Sequence, residues 1–432
     1  MRLAPPRIVV LTGWFEPRAD REDGGMKTAA ISCLTAVSLA AVTLSASGAS
    51  AASHRTLTSK TSATPRLPRP TGPYQIGVVN LHLVDSSRPD LYNPPQAYRE
   101  LMVSVVYPAR RTAGYPTAPL MTSGTSAGFN ALAGVDNYDV PSDVTIDYSA
   151  IKTFEHVGAP TAHGRFPVVL YSPGLGDVRS WDSVLVDQLA SEGYVVVTID
   201  PTYDASAVEF PGGRVAPSRL LEMYAQAVAD GTQTQFLEKV VLGTRVEDAK
   251  FVLDSLTRLA EGQDPDAEHA PLPTGLGPAL DLGQVGMFGH SGGGFATLEA
   301  MYEDPRIKAG INMDGTLEFV FGAPTDTNFS PVAQHGLTKP FLILSSDAPD
   351  ACTAAADPSC AAVLAHSTGW HADITLPGTL HGSLTDAEVL MPQLSAVMTP
   401  AEIMSDTGTA PTADVMAVEQ SLISGFFDTN LR

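Results

Sequence analysis

The stretch VGMFGHSGGGFATLEA, residues 285–300, holds the side chain best suited to covalent chemistry. Its residues 289–293, Gly-His-Ser-Gly-Gly, fit the pattern G-x-S-x-G, in which a serine on a sharp turn between a strand and a helix acts as a nucleophile. The pattern alone also fits an ordinary glycine-rich loop in a chain with 37 glycines. An apolar strand pattern before Ser291 and a helical pattern after it favour the nucleophile.

A serine hydroxyl is a weak nucleophile and needs a base, usually a histidine, that a carboxylate holds in place. Among the ten histidines, His381 in LPGTLHGSLTD follows the last predicted strand and gives the chain order serine, acid, histidine. His290, inside the turn itself, is expected to be structural. His366 and His371 are weaker candidates for the base.

Two aspartates compete for the role of the acid, because each ends an apolar strand downstream of Ser291. Asp314 ends GINMD, and Asp347 ends LILSSD one strand later. Topology alone slightly favours Asp347.

The tetrahedral intermediate of this chemistry carries an oxyanion that needs two N–H donors. The backbone N–H of Gly292, directly after the nucleophile, is one candidate. The loop SPGLGDV, residues 172–178, follows an early core strand, and its glycines let the N–H of Leu175 point inward as the second donor. An ordinary tight turn is the alternative interpretation of this loop. The chemistry requires no metal and no cofactor.

The elements that must position these residues alternate between strands and helices. Short apolar runs predict strands at 166–172, 194–200, 285–288, 307–314 and 341–347, of the kind that is buried on both faces of a parallel sheet. Earlier strands are predicted in YQIGVVNLHLVD and RELMVSVVYPA, and helices over 181–191, 245–259 and 293–302. This order predicts an α/β fold with a mostly parallel sheet in a single domain over 74–432. Residues 202–244 are predicted either to cap an apolar pocket or to pack on the sheet.

The N-terminal sequence is typical of an export signal. From Met26, one basic residue, an apolar run and Ala-Ser-Ala at 49–51 form the layout of a secretory signal peptide over 26–51. A transmembrane helix fits less well, because serine, threonine and glycine dilute the second half of the run. Residues 1–25 would precede the true start, and 52–73 are predicted to be a flexible leader.

The cysteine content agrees with a secreted protein. Cys352 and Cys360 enclose a short loop and predict one disulfide, with two free thiols as the alternative; their spacing indicates no metal site. A net charge of −21 disfavours binding to nucleic acid and to anionic membranes. We expect a secreted monomer without a stable membrane anchor.

The sequence resembles the secreted platelet-activating factor acetylhydrolases and their bacterial lipase and esterase relatives, which are α/β-hydrolases. The stretches RELMVSVVYPA, FPVVLYSPGLGDVRS, VGMFGHSGGGFAT and DPRIKAGINMDG carry the resemblance, with LPGTLHGSLTD as a looser fifth. In that family the acid lies 23 residues after the serine, which is the spacing between Ser291 and Asp314. The resemblance therefore implies Asp314 as the acid, His381 as the base, and Leu175 and Gly292 as the oxyanion donors.

Two departures from that family concern the pocket. Its eukaryotic members read S-H-G-L-G where this chain has Ser-Pro-Gly-Leu-Gly at 172–176, and they place an aromatic residue where this chain has Gly292. The predicted function is cleavage of carboxylic esters, by an acetylhydrolase-like or lipase-like enzyme. The alternatives are a cutinase-like polyester hydrolase, a broad lipase and a non-catalytic binding protein.

Overall fold

The structure is a computed structural model that describes residues 64–132, 140–141, 144–320 and 328–432, with the backbone of 55–56. The predicted signal peptide over 26–51, residues 1–25 and residues 52–54 and 57–63 of the predicted leader lie outside the described residues.

The described strands build one large sheet and two small ones. They are β1 (Arg55–Thr56), β2 (Gln75–Asp85), β3 (Arg99–Ala109), β4 (Thr117–Pro119), β5 (Val144–Thr145), β6 (Lys152–Val157), β7 (Phe166–Ser172), β8 (Val195–Ile199), β9 (Ala207–Phe210), β10 (Arg214–Pro217), β11 (Leu280–His290), β12 (Ile307–Met313), β13 (Phe341–Ser345) and β14 (His371–Thr375). The large sheet has ten strands in the order β14-β13-β12-β11-β7-β8-β3-β2-β6-β4.

Most neighbours in the large sheet are parallel. All pairs from β14 to β8 are parallel, β3 is antiparallel to both β8 and β2, and β4 is antiparallel to β6. The prediction of an α/β fold with a mostly parallel sheet is therefore confirmed.

Helices cover both faces of this sheet. They are α1 (Ser123–Leu132), α2 (Ser183–Glu192), α3 (Leu220–Ala229), α4 (Gln233–Gln235), α5 (Gly243–Ala260), α6 (Leu276–Ala279), α7 (Gly292–Glu303), α8 (Pro331–His335), α9 (Pro358–His366), α10 (Ala387–Leu390), α11 (Pro400–Thr407) and α12 (Thr412–Leu431), with a π-helix at Phe236–Leu242 and short 3-10 turns at Tyr148–Ala150, Pro211–Gly213, His381–Leu384 and Met391–Leu394.

Successive residues of the central strands enter two separate cores. Val168 and Leu170 of β7 pack in the core that contains residues of α5 and α7. Val169 and Tyr171 pack in the core that contains residues of α2 and α12. Both faces of the strand are buried, which is why its sequence is continuously apolar instead of alternating.

The functional candidates meet because four neighbouring parallel strands end at the same edge. In the order β13-β12-β11-β7, the residues that follow are Asp347 after β13, Asp314 after β12, Ser291 after β11 and Leu175 after β7. Ligand and active sites of open parallel sheets form at this carboxyl edge.

Residues 64–73, within the predicted flexible leader over 52–73, contact the folded domain. Leu67 is buried in a hydrophobic cluster, and the N–H groups of Thr71 and Gly72 donate to side chains of α2. The flexibility of this segment stays a prediction. Its polar, proline-rich composition did not reveal the single leucine that anchors it.

Two parts of the segment 202–244, the π-helix and α3, pack differently. Within the π-helix, the side chains of Phe236, Leu237, Val241 and Leu242 join the main core, so this half packs on the sheet. In α3 only Ala227 is buried, and Leu221 and Val228 are exposed. A lid role stays a prediction for α3 alone.

Candidate active site

Ser291 lies on a strained turn between β11 and α7. Its φ of 55° and ψ of −121° are uncommon for a residue with a side chain and store backbone strain. Its N–H donates to the carbonyl of Met313 at 2.8 Å, and its carbonyl accepts from Phe295 N–H at 3.1 Å. The neighbouring strand and the first helical turn thus hold the serine in the geometry that G-x-S-x-G predicts.

Glycines flank Ser291 because three backbone segments pack together at this turn. A Cβ on Gly293 would lie 1.9 Å from the carbonyl oxygen of Ser172 in β7, and one on Gly289 would lie 2.4 Å from the carbonyl carbon of Gly293. Atoms cannot approach that closely, so both positions require glycine. The pattern around Ser291 therefore reflects close contact of β11 and α7 with β7.

Asp314 is the acid that contacts His381. Its buried carboxylate receives a hydrogen bond from His381 Nδ1 at 2.8 Å. The same carboxylate accepts from Ser346 Oγ at 2.7 Å and from the N–H of Cys352 at 3.1 Å. Sequence reasoning did not find these two further donors, because they follow a different strand from Asp314.

Asp347 has a different partner. Its carboxylate accepts from the N–H of Gly378 at 3.0 Å, and its own N–H donates to the carbonyl of Thr379. Asp347 therefore secures the turn before His381 from an exposed position, whereas Asp314 contacts the imidazole itself.

His381 and Asp314 each shift the pKa of the other. Burial lowers the pKa of His381, but the hydrogen bond and negative charge of Asp314 outweigh it, and the pKa lies above its usual 6.5. Burial raises the pKa of Asp314, but the hydrogen bond and charge of His381 outweigh this and hold it below the usual value. The carboxylate therefore stays ionised and stabilises a protonated His381.

The predicted disulfide between Cys352 and Cys360 is present and supports the acid. It closes the loop that follows β13, and the N–H of Cys352 in this loop is one of the donors to Asp314. Ser345 Oγ donates to the carbonyl of Cys352 from the end of β13. The loop closed by the disulfide thus contacts the carboxylate of Asp314.

Leu175 packs against Gly292, the residue directly after Ser291. A Cβ on Gly292 would lie 2.6 Å from Leu175 Cδ2 and 3.7 Å from the Leu175 amide nitrogen. Among the described residues, no hydrogen bond uses the N–H of Leu175. Gly292 begins α7, whose first N–H groups lack acceptors within the helix. Neither observation conflicts with the prediction that these two N–H groups are the oxyanion donors.

His290 holds the backbone of His381. Its Nε2 lies 3.0 Å from the carbonyl oxygen of His381, which can only accept, so Nε2 carries the proton. Its Nδ1 lies 3.9 Å from the carboxylate of Asp177. Burial lowers the pKa of His290 to about 3 and raises that of Asp177 to about 7. His290 is therefore neutral and fits the structural role expected for it.

The weaker histidine candidates are bonded elsewhere. His366 Nδ1 bonds to the carbonyl of Ala333, and His371 Nδ1 bonds to that of Gly369. In the part of the chain that the structure describes, no three histidine, cysteine, aspartate or glutamate side chains form a group able to hold a metal ion. No described helix has the length and apolar character to cross a bilayer.

Comparisons with known proteins agree on one family. The model of the family described as platelet-activating factor acetylhydrolase, isoform II, matches residues 60–422. A protein of Arthroderma benhamiae, described as a probable 1-alkyl-2-acetylglycerophosphocholine esterase, is 31% identical over 264 residues, which cover 58% of this chain and 59% of that protein. The platelet-activating factor acetylhydrolase of Gallus gallus is 22% identical over 42% of this chain and 44% of its own. The chain thus spans about three fifths of the first relative and less than half of the second.

A solved structure matches over more of the chain. The ferulic acid esterase from Streptomyces cinnamoneus superposes with a TM-score of 0.65 and 28% identity, covering 86% of this chain and 94% of that one. This similarity confirms the α/β-hydrolase class, and the family match confirms the resemblance drawn from the sequence.

Proposed function

Because the chain belongs to the platelet-activating factor acetylhydrolase isoform II family, we propose that it hydrolyses carboxylic esters with Ser291 as the nucleophile, His381 as the base and Asp314 as the acid. The observation that carries the proposal is the hydrogen bond from His381 to Asp314 beside the strained turn of Ser291. The unbonded N–H of Leu175 next to Gly292 supports an oxyanion site at the same place.

In the first half of the reaction, Ser291 Oγ bonds to the ester carbonyl carbon as His381 takes the hydroxyl proton. The carbonyl electrons move onto oxygen, and the N–H groups of Leu175 and Gly292 stabilise that negative charge. Asp314 stabilises the imidazolium without taking its proton. The bond to the alcohol oxygen then breaks, the alcohol leaves with the proton from His381, and the acyl group remains on Ser291.

In the second half, His381 takes a proton from water as the water oxygen bonds to the acyl carbon. A second oxyanion forms between the same two N–H groups. Its collapse breaks the bond to Ser291 Oγ, which regains its proton from His381, and the carboxylic acid is released. The cycle needs no metal and no cofactor.

The first candidate substrate is an ester with a short acyl group. The Arthroderma benhamiae relative is described by its action on a 2-acetyl glycerophosphocholine, and Leu175 fills the space against Gly292 beside the proposed nucleophile. A lipase or cutinase-like polyester hydrolase, with a more open cleft, is the alternative that the same residues would serve.

A second candidate is an ester of an aromatic acid. It is favoured by the ferulic acid esterase, of which this chain covers 94% at 28% identity. That enzyme is matched over a larger share of its length than the acetylhydrolases are.

We also infer that the protein is exported and that residues 26–51 are removed. The signal layout and the disulfide between Cys352 and Cys360 support this, because disulfides persist in oxidising compartments. Sequencing the N-terminus of protein recovered from the culture medium tests it. A chain that is retained in the cell with Met1 or Met26 intact would contradict it.

The deciding experiment measures hydrolysis of nitrophenyl esters from acetyl to palmitoyl, and of methyl ferulate, by the protein and by Ser291→Ala. We expect Ser291→Ala to lose about 10³-fold or more in kcat, because the nucleophile is absent. Ser395→Ala, at an exposed serine away from the site, is the control and should keep full activity. Equal rates for Ser291→Ala and the parent protein would refute the mechanism.

The same panel separates the substrates. A sharp preference for acetyl supports the short acyl pocket, and a long-chain or flat profile supports the lipase or polyester alternative. Turnover of methyl ferulate above that of nitrophenyl acetate supports the aromatic ester. A fluorophosphonate probe should label the parent protein and not Ser291→Ala; no labelling of either would favour a non-catalytic binding protein.

A further inference from the structure

Arg245, the third residue of α5, is a buried cation beside the loop that carries Leu175. Its side chain is 1% exposed. One terminal nitrogen, Nη1, donates to the carbonyl of Pro173 at 2.6 Å, and the other, Nη2, donates to that of Gly174 at 2.8 Å. Nε and Nη2 also donate to the carboxylate of Asp204, each at 2.8 Å. One guanidinium thus ties two loop carbonyls to a buried carboxylate.

The hydrogen bond to Gly174 fixes the direction of the proposed oxyanion donor. The carbonyl of Gly174 and the N–H of Leu175 belong to one planar trans peptide, so they point in opposite directions. When Arg245 holds the carbonyl, the N–H must face away from Arg245. That N–H is the one that lies next to Gly292 and has no acceptor among the described residues.

The peptide on the other side of Leu175 is fixed by the same ion pair. The N–H of Gly176, which belongs to this peptide, donates to Asp204 Oδ1 at 3.0 Å. The carbonyl of Gly176, in the next peptide, accepts from Ser206 N–H at 2.6 Å. Tyr92 Oη donates to Asp204 Oδ2 at 3.2 Å. Both peptide units that flank the Cα of Leu175 are therefore held. Arg245 holds one, together with a longer hydrogen bond of 3.3 Å from the N–H of Asp177 to the Gly174 carbonyl, and Asp204 holds the other.

The charge of Arg245 adds an electronic effect to the geometric one. A hydrogen bond from a cation to a carbonyl is stronger than one from a neutral donor. It polarises the peptide, and in a buried site this makes the N–H at the far end a better donor. An amide that is both aligned and polarised favours an oxyanion over the neutral carbonyl of the substrate.

We propose that Arg245 is a positioning residue for ester hydrolysis, which orients and polarises the N–H of Leu175 toward the oxyanion. The inference rests on the proposed function. Arg245 acts through the peptide between Gly174 and Leu175 and does not touch the substrate.

The chain offers a matched control in Arg99. Its side chain is also fully buried, and it pairs with the carboxylates of Asp90 and Asp248. Its backbone acceptor is the carbonyl of Thr202, outside the oxyanion loop. Replacing Arg99 therefore damages a buried ion network of the same kind without removing a hydrogen bond to the peptides on either side of Leu175.

The test compares Arg245→Lys with Arg99→Lys. Lysine keeps the charge but lacks the planar fork that reaches two carbonyls and a carboxylate at once. For Arg245→Lys we expect kcat on a nitrophenyl ester to fall about 10- to 100-fold with KM little changed, because losing one oxyanion donor lowers kcat by about 10²–10³ and a misdirected donor loses part of that. Arg99→Lys should lower Tm and leave kcat within about threefold.

A second measurement separates positioning from general damage. A trifluoromethyl ketone binds the serine as a hemiketal oxyanion. Its inhibition constant should therefore rise in Arg245→Lys by about the factor by which kcat/KM falls. Added guanidinium, at concentrations too low to unfold the protein, should restore part of the kcat of Arg245→Ala and nothing in Arg99→Ala. A merely structural role for Arg245 would give neither result and would overturn the proposal.

If Arg245→Lys does not fold, the double variant Arg245→Met with Asp204→Asn removes both charges together, which buried pairs tolerate better than the loss of one partner. It should show the same loss of kcat, and an unchanged kcat overturns the proposal. Ester hydrolysis that persists in Ser291→Ala would instead refute the proposed function and the inference with it. Normal Ser291 dependence with an unaffected Arg245→Lys refutes the inference alone.

Discussion

Buried carboxylates occur in two settings of opposite character in this protein. Around the candidate active site, Asp314 and Asp204 have strong donors, whereas burial raises the pKa of Asp177 to about 7 and one of its carboxylate oxygens has no partner among the described residues. Asp314 receives hydrogen bonds from His381, Ser346 and the N–H of Cys352, and its pKa lies below the usual value. Asp204 pairs with Arg245.

The second setting, here called the acid cluster, consists of Asp182, Asp386, Glu388 and Glu419. Burial raises the pKa of Asp386 and of Glu388 to about 7, and burial and the neighbouring acids raise those of Asp182 and Glu419 well above their usual values. One carboxylate oxygen of each of Asp182, Glu388 and Glu419 has no hydrogen-bond partner among the described residues.

The difference shows what keeps a buried carboxylate charged. Burial penalises the charged form in both settings, and only nearby cations and N–H or O–H donors reverse the penalty. At Asp314 they do so, and the proposed reaction uses the resulting negative charge. In the acid cluster the pKa values stay raised, even for Asp386, whose carboxylate accepts hydrogen bonds from the N–H groups of Ser183 and Val184. The cluster therefore favours the folded state most when its carboxyl groups are protonated.

The largest effect should come from removing the charge at the candidate site. Asp314→Asn should lower kcat by about 10²–10⁴, because an amide cannot stabilise the imidazolium and its NH₂ group favours the wrong tautomer of His381. Asp347→Asn is the matched control. It retains an acceptor for Gly378 N–H and should keep kcat within about threefold. Steady-state rates of both variants on one nitrophenyl ester decide the matter, and the reverse ranking would assign the acid role to Asp347.

The pH dependence of the reaction should also depend on the negative charge of Asp314. The base acts only when His381 is neutral, so kcat/KM should rise with pH as the imidazolium loses its proton. Since the pKa of His381 lies above 6.5, the midpoint of this rise should also lie above 6.5.

In Asp314→Asn, the midpoint of the residual activity should move to lower pH, because the charge that stabilises the imidazolium is gone. The profile of kcat/KM between about pH 5 and 10 measures both midpoints. An unchanged or raised midpoint in Asp314→Asn would show that the two groups are not coupled in solution.

The sequence predicted much of this arrangement, because strand order and local pattern suffice for part of it. The strand before Ser291, the helix after it and the parallel sheet follow from apolar runs and their lengths. Asp314 and Asp347 could not be separated by topology, because each follows a parallel strand at the same edge. What distinguishes them in the structure is the path of the loop that carries His381, which strand patterns do not encode.

Arg245 and the acid cluster lay beyond sequence reasoning for another reason. Arg245 is next to Val246 in the apolar stripe of α5, and its partner Asp204 is 41 residues away in the chain. A charged residue in a helical pattern is ordinarily taken to face solvent. Only the folded chain shows that Arg245 and Glu419 point inward. Arg245 pairs there with Asp204, whereas one carboxylate oxygen of Glu419 has no hydrogen-bond partner among the described residues.

The smallest expected effect concerns stability and tests the acid cluster itself. Glu419 is 1% exposed in α12, and its pKa is raised by burial and then by Glu388 and Asp386. In the unfolded chain it ionises near its ordinary pKa of 4.5. Above that pH the folded protein therefore binds more protons than the unfolded chain, and its free energy of unfolding falls as pH rises.

Glu419→Gln removes this titration without changing the size of the side chain. We expect Tm of the variant to exceed that of the parent protein by about 2–4 °C at about pH 8, and the difference to vanish or reverse at about pH 5, where Glu419 is protonated in the folded state. Glu222→Gln, on the exposed side of α3, should shift stability by less than about 0.5 kcal/mol at either pH. Thermal unfolding at the two pH values measures both variants. If Glu419→Gln stabilised the protein equally at both pH values, the pKa of Glu419 would not be raised in the folded state. Only Asp386 and Glu388 would then support the contrast between the two settings.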